Sequence, residues 1–280
     1  MIEPVVSVDW LAEHPDAVVA DVRWYLDGRS GWEAYTAGHL PGAVFVDLNT
    51  ALAAPQVDGS GRHPLPTPEA FAAGMAAVGV GDDSVVVAYD DAGGAQAARM
   101  VWLLRLLGVD AAVLDGGMAA WPGALETGAG ETPAPGGFTA RPWDPAGLAT
   151  IDDAATGNLV LDARAAERYE GVNEPVDPRA GHIPAAVNLP FAGNLDADGR
   201  FLPPEELADR YRAAGVVDAA EVIVYCGSGV TACHNLVALE RAGLGRGRLY
   251  PGSWSQYAST ERPVATGPEP GTHPPLTPRP

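Results

Sequence analysis

The chain has 280 residues, 47% hydrophobic and 19% charged, which is enough for two domains of roughly 120–140 residues, each with a core of its own. Its formal charge of −19 excludes nucleic acid as an expected partner, because a phosphate backbone would be repelled on average. All 17 basic residues are Arg, so Schiff-base catalysis and a Walker-type phosphate loop are ruled out, and any cationic clamp on a substrate must be made of guanidinium groups.

In chain order, Val18–Val22 reads as a first strand, followed by a Gly38-His39-Leu40-Pro41 turn. Val85–Tyr89 is a near-continuous apolar run, as expected of a strand buried on both faces of a parallel sheet. A turn at Asp90-Asp-Ala-Gly-Gly then opens a helix over Ala95–Leu107, stopped at Gly108. The stretch Thr127–Pro135, rich in Gly, Pro, Thr and Glu, marks a linker, placed at 127–145. The order then repeats: a strand at Leu159–Asp162, a Gly181-His182-Ile183-Pro184 turn, and a strand at Val222–Tyr225. A Cys226-Gly-Ser-Gly turn follows, then a helix over Thr231–Ala242 ending at Gly243. Residues 264–280 form a tail dominated by Pro, Gly and Thr that cannot build a core.

The repetition is specific. Cys226 lies 136 residues after Asp90, and at that spacing Tyr89 falls on Tyr225, Asp115-Gly116 on Pro251-Gly252, and Trp121 on Tyr257. Two copies of one α/β unit are therefore expected, at 1–126 and 146–263, each with a mostly parallel sheet flanked by helices. His39 and His182 recur in matching turns and read as structural; Trp102, Trp121 and Trp254 read as core.

The chemistry concentrates at Cys226. It ends a buried strand, and Gly227-Ser228-Gly229-Val230-Thr231 leads directly into a helix. Such a turn directs successive N–H groups inward, and the helix N-terminus adds roughly half a positive charge. Both favour a thiolate and would hold the outer sulfur of a persulfide. A small buried hydrophobe would have no use for a Gly-Ser-Gly turn. Cys233, two helical turns further on, reads as a core residue. Neither a disulfide framework nor zinc-ligand spacing is present, so no metal and no cofactor is expected.

Cys226-Gly-Ser-Gly-Val-Thr-Ala resembles the active-site loop of two-domain rhodanese-type sulfurtransferases, in the version associated with 3-mercaptopyruvate. The likeness extends from about Val5 to Pro263. It includes both Gly-His-Leu/Ile-Pro turns and an inactive first domain with Asp90 at the cysteine position. The resemblance implies sulfur transfer through a Cys226 persulfide. Arg168 and Arg179 would grip the donor's anionic group, and Ser228 would work with His63 from the first domain. The family's aspartate falls on Asn49, so Asn49 or the nearby Asp47 is the candidate to orient His63. Gly227, Gly229, Val230 and Thr231 complete the donor site.

The implied partners are a small-molecule sulfur donor and a thiol, cyanide or thioredoxin-like acceptor, with no nucleic acid and no membrane. Met1-Ile2-Glu3-Pro4 lacks the basic start of a signal peptide and no apolar run nears the ~20 residues of a membrane span, so a cytoplasmic setting is expected. A phosphatase reading fails because the loop has no closing Arg: Ala232 and Cys233 stand sixth and seventh after Cys226. Thiosulfate as donor, and a sulfur-carrier module without turnover, are the remaining alternatives. Gly227-Ser228 removes cationic charge from the loop and so favours the monocarboxylate mercaptopyruvate over dianionic thiosulfate.

Overall fold

The computed structural model describes residues 1–273; the last part of the Pro-rich tail, 274–280, lies outside them. Among the described residues, nine strands form two parallel sheets. In the first, β1 (Val5–Val6), β2 (Val18–Asp21), β3 (Val44–Phe45), β4 (Val85–Tyr89) and β5 (Asp110–Leu114) take the order β1-β5-β4-β2-β3. In the second, β6 (Leu159–Asp162), β7 (Val187–Asn188), β8 (Val222–Tyr225) and β9 (Arg248–Leu249) take the order β7-β6-β8-β9. All ladders are parallel and helices intervene between strands, as the buried apolar runs require.

The repeat expected from sequence is present in side-chain detail. Arg23 pairs with Asp21 at 2.6 Å and donates to the Gly38 carbonyl at 2.7 Å; Arg164 does the same with Asp162 at 2.6 Å and Gly181 at 2.8 Å. These buried pairs tie the end of an inner strand to the Gly-His turn, where His39 stacks on Tyr35 and His182 on Tyr169. Each imidazole Nδ1 meets the carbonyl of the tyrosine it stacks on, so both histidines hold turns, as expected.

The helices that follow the two central strands, Ala97–Leu106 and Ala232–Arg241, pack against each other, and Arg105 bridges to Glu240 at 2.6 Å. One apolar core runs through both sheets, from Val86 and Leu103 to Val224 and Leu236. Each of these helices is slightly shorter than the sequence pattern implies, losing terminal residues to the turns. The linker is not a loose tether. Phe138 and Trp143 pack on Phe71, and the Trp143 indole donates to the Pro66 carbonyl at 2.9 Å. The described part of the tail, 264–273, folds back on the second unit, with Ala265 bridging to His182 and the Pro270 carbonyl accepting from the Ala185 N–H at 2.7 Å. Trp102 and Trp254 are buried, whereas Trp121 is half-buried at the surface.

Candidate active site

β8 delivers Cys226 to the floor of a cleft of about 270 Å³ between the two units. Its thiol is buried, and the Gly229 N–H donates to Sγ at 3.1 Å. Gly229 has φ +79°, and a Cβ there would fall 2.6 Å from the Pro251 carbonyl oxygen, so no other residue fits this bend. Ser253 supports the cysteine from behind: its hydroxyl accepts from the Cys226 N–H at 3.2 Å and donates to the Tyr250 carbonyl at 2.9 Å. To do so Ser253 adopts φ +51°, a strained conformation for a residue with a Cβ, and such strain collects at functional sites. The amides of Ser228, Val230 and Thr231 have no hydrogen-bond acceptor among the described residues.

Across the cleft, the first unit contributes His63, whose Nδ1 meets the Ser228 hydroxyl at 2.8 Å. Burial, together with the nearby Arg99 and Arg62 guanidinium groups, pushes the imidazole down from 6.5 to about 4. His63 is therefore neutral at pH 7 and able to accept the serine proton.

Arg168 lines the same cleft. Its Nε and Nη2 are held by Glu174 at 3.2 and 2.7 Å, and Nη2 also reaches Asp177 at 3.1 Å.

Comparison with known proteins now decides the family. The rhodanese-like domain model matches residues 7–124 and again 148–260. The chain belongs to the rhodanese family. Among its relatives, a Pseudomonas aeruginosa protein named "Probable 3-mercaptopyruvate sulfurtransferase" is 48% identical, over 90% of this chain and 93% of that one. A Mycobacterium tuberculosis protein named "Putative thiosulfate sulfurtransferase SseB" is 42% identical, over 89% of this chain and 90% of that one. The structure of a 3-mercaptopyruvate sulfurtransferase from Leishmania major superposes with a TM-score of 0.82 at 32% identity, covering 93% of this chain and 75% of that one.

Within this rhodanese pair, Cys226, Gly227, Ser228, Val230, Thr231 and Arg168 line one cleft, with Gly229 and His63 against it. Three expectations are corrected. Arg179 points elsewhere: its guanidinium donates to the carbonyls of Tyr257, Ala258 and Arg262, capping the end of the helix Ser253–Tyr257. Neither Asn49 nor Asp47 hydrogen-bonds the His63 ring. Asp47 is taken up as the N-cap of the helix Leu48–Ala51, accepting from the Asn49 N–H at 2.7 Å, and both residues line a separate cavity with Trp32 and Phe45. The His63 ring instead packs at right angles to Trp24, with 5.1 Å between ring centroids.

Sequence reasoning missed three residues here. Trp24 and Arg62 line the cleft from the first unit. Arg99 is fully buried, without a carboxylate partner among the described residues. It donates to the carbonyls of Gly229 at 2.9 Å and His63 at 3.4 Å, tying the cysteine loop to the histidine segment. A charged residue at a core-facing position of the helix Ala97–Leu106 was the available signal, since buried Arg is rare unless it holds something. Cys233 is buried, and burial pushes its thiol up to about 12, which suits a packed residue and opposes thiolate chemistry.

Proposed function

We propose that this rhodanese-family chain is a sulfurtransferase that takes a sulfur atom from 3-mercaptopyruvate onto Cys226 and hands it to a thiol, cyanide or thioredoxin-like acceptor. The observation that carries the reading is the Cys226 loop, whose Ser228, Val230 and Thr231 amides lack acceptors among the described residues and whose serine hydroxyl meets His63 Nδ1 at 2.8 Å. In the first step the Cys226 thiolate attacks the donor sulfur, the carbon–sulfur bond breaks, and its electron pair leaves as the enolate of pyruvate. The proton of the donor's own thiol, now on the outer sulfur, passes by way of Ser228 and His63 to the enolate carbon, giving pyruvate and an ionised Cys226 persulfide. Loop amides stabilise the charge on the outer sulfur. In the second step the acceptor thiolate attacks that sulfur and the Cys226 thiolate leaves.

The names of relatives support both donors, and the side chains favour mercaptopyruvate. Proton delivery by the Ser228–His63 pair serves a carbon leaving group, whereas sulfite leaves thiosulfate without it. No helix among the described residues is long and apolar enough to cross a membrane. We place the reaction in the cytoplasm, where thiol acceptors are kept reduced.

Intact-mass measurement after donor treatment should show one added sulfur, absent in Cys226→Ser and kept in Cys233→Ser; sulfur that follows Cys233 would overturn the assignment. Ser228→Ala should lower kcat with mercaptopyruvate by about a hundredfold and leave thiosulfate turnover nearly unchanged. Equal losses for both donors would reduce the serine to a loop-shaping role and remove the preference.

A further inference from the structure

Sulfur transfer needs a place for the acceptor as well as the donor, and the first unit keeps a groove that no chemistry of its own uses. We propose that this groove, beside the Asp90 loop, holds the body of the acceptor, a low-molecular-weight thiol without net negative charge whose sulfur reaches Cys226. The inference rests on the sulfurtransferase reading above and names the acceptor class.

The groove, of about 490 Å³, is lined by Trp24 and Asp27 from the segment after β2 and by Asp91, Ala92 and Gln96 from the loop after β4. Ala165, Arg168 and the Cys226 loop line the active cleft from the matching places after β6 and β8. The groove is thus the first unit's counterpart of the cleft. Its loop has no room for a second anion, because the Asp90 carboxylate already takes the N–H groups of Ala92, Gly94, Gln96 and Ala97. The two spaces adjoin, since Trp24, Leu26 and Gln96 line both. At this shared wall Gln96 Oε1 is buried with no donor among the described residues, a state that structural amides ordinarily avoid.

Charge separates the two spaces. Arg62, Arg164 and Arg168 line the cleft, and no carboxylate among the described residues does. The groove is lined by the carboxylates of Asp27 and Asp91 and by one cation, Arg29. Arg29 is already engaged: its Nε donates to Asp27 at 2.9 Å, and its guanidinium lies over the Tyr25 ring, 3.9 Å from the centroid. Asp91 accepts from the Tyr25 hydroxyl at 2.7 Å through Oδ2, and its Oδ1 has no donor among the described residues. An uncommitted carboxylate oxygen beside aromatic rings suits a body that brings N–H or O–H donors or a cation. An anionic body is repelled. From the groove the acceptor thiolate attacks the outer sulfur of the Cys226 persulfide. The sulfur–sulfur bond breaks with its electron pair on Cys226, and the acceptor leaves as a persulfide.

Peptides that share one thiol and differ in charge test the groove: acetyl-Cys-Gly-Lys-amide, acetyl-Cys-Gly-Gln-amide and acetyl-Cys-Gly-Glu-amide. The full chain is loaded with sulfur at Cys226 by polysulfide, and intact mass follows its discharge to each peptide. At low ionic strength the Lys peptide should discharge it about tenfold faster than the Glu peptide, with the Gln peptide between, and added salt should narrow the spread. Asp91→Asn keeps an acceptor for the Tyr25 hydroxyl and should cut the spread to about threefold or less. Asp209→Asn removes the same charge from the exposed face of the helix Pro204–Ala213 and should leave the spread as it was. Equal rates for the three peptides would overturn the proposal, as would a spread that Asp209→Asn narrows as much as Asp91→Asn does. If discharge discriminates through Asp91 but mercaptopyruvate never loads Cys226, the acceptor groove stands and the reading of the donor falls.

Discussion

The two loops that follow β4 and β8 begin alike and end in opposite chemistry. In the first, Asp90 folds its carboxylate into its own turn and accepts the N–H groups of Ala92, Gly94, Gln96 and Ala97 at 2.8–2.9 Å. In the second, Cys226 accepts a single N–H, from Gly229, and its neighbours' amides go without acceptors among the described residues. The backbone scaffolds match: the Asp90 carbonyl accepts from Met118, the Cys226 carbonyl from Trp254, both at 2.9 Å. One loop has its anion built in and is closed to substrate. The other leaves the anion's place to a sulfur that arrives with the donor. Burial pushes the Asp90 carboxyl above its usual range while its four N–H donors pull the other way.

Making the second loop like the first should have the largest effect. Cys226→Asp should abolish sulfur transfer, a loss of about a thousandfold or more, while the protein stays folded and its melting temperature holds or rises. Residual turnover near that of the natural chain would show that Cys226 is not the nucleophile. The reverse experiment removes the built-in anion. Asp90→Leu strands four N–H groups, two of them buried and two partly buried, and should cost about 2 kcal/mol or more in denaturant unfolding, with specific activity of the folded fraction retained. A neutral change would mean that the first loop relaxes freely and that its carboxylate is incidental.

Electrostatics sharpen the contrast further. His63 and His234 are both held down to about 4 in the folded chain, chiefly by burial, against 6.5 unfolded. Between those values the unfolded chain binds more protons. Their stabilising contribution is therefore complete above pH 6.5 and fades as pH falls toward 4. Mercaptopyruvate turnover should likewise show no His63 titration near pH 6.5. Arg99→Met removes the cation that ties the Gly229 and His63 segments and should move that titration up toward 6.5. A pH profile unchanged in Arg99→Met would leave Arg99 a purely structural tether. The smallest effect is expected outside both loops: Arg179→Ala should lower the melting temperature by a few degrees and leave KM for mercaptopyruvate as it was. A rise in KM with an unchanged melting temperature would return Arg179 to the donor site.

The repeat, the parallel sheets and the place of Cys226 at a strand-to-helix turn were legible in the chain because they are written in local signals. Apolar runs of strand length, Gly-bounded helices and a Cys-Gly-Ser-Gly turn each act within about a dozen residues. The same locality explains what misled. Arg179 stands near the place where the family likeness sets its second arginine, yet the direction of a loop side chain depends on what packs around it. Here the open carbonyls of the helix Ser253–Tyr257, some 80 residues away in sequence, claim it.

By itself, then, the amino-acid order determined that two α/β units would form and that Cys226 would sit at a strand-to-helix turn, since periodicity and turn chemistry are short-range. Only the tertiary structure decided which side chains meet that cysteine. His63 reaches Ser228 across 165 positions, Arg99 reaches Gly229 across 130, and Arg62 reaches Asp177 across 115. These partners come together because the helices Ala97–Leu106 and Ala232–Arg241 bury their apolar faces on each other, which closes the cleft from both sides. That docking is set by the shape and burial of whole surfaces, which no short stretch of sequence contains.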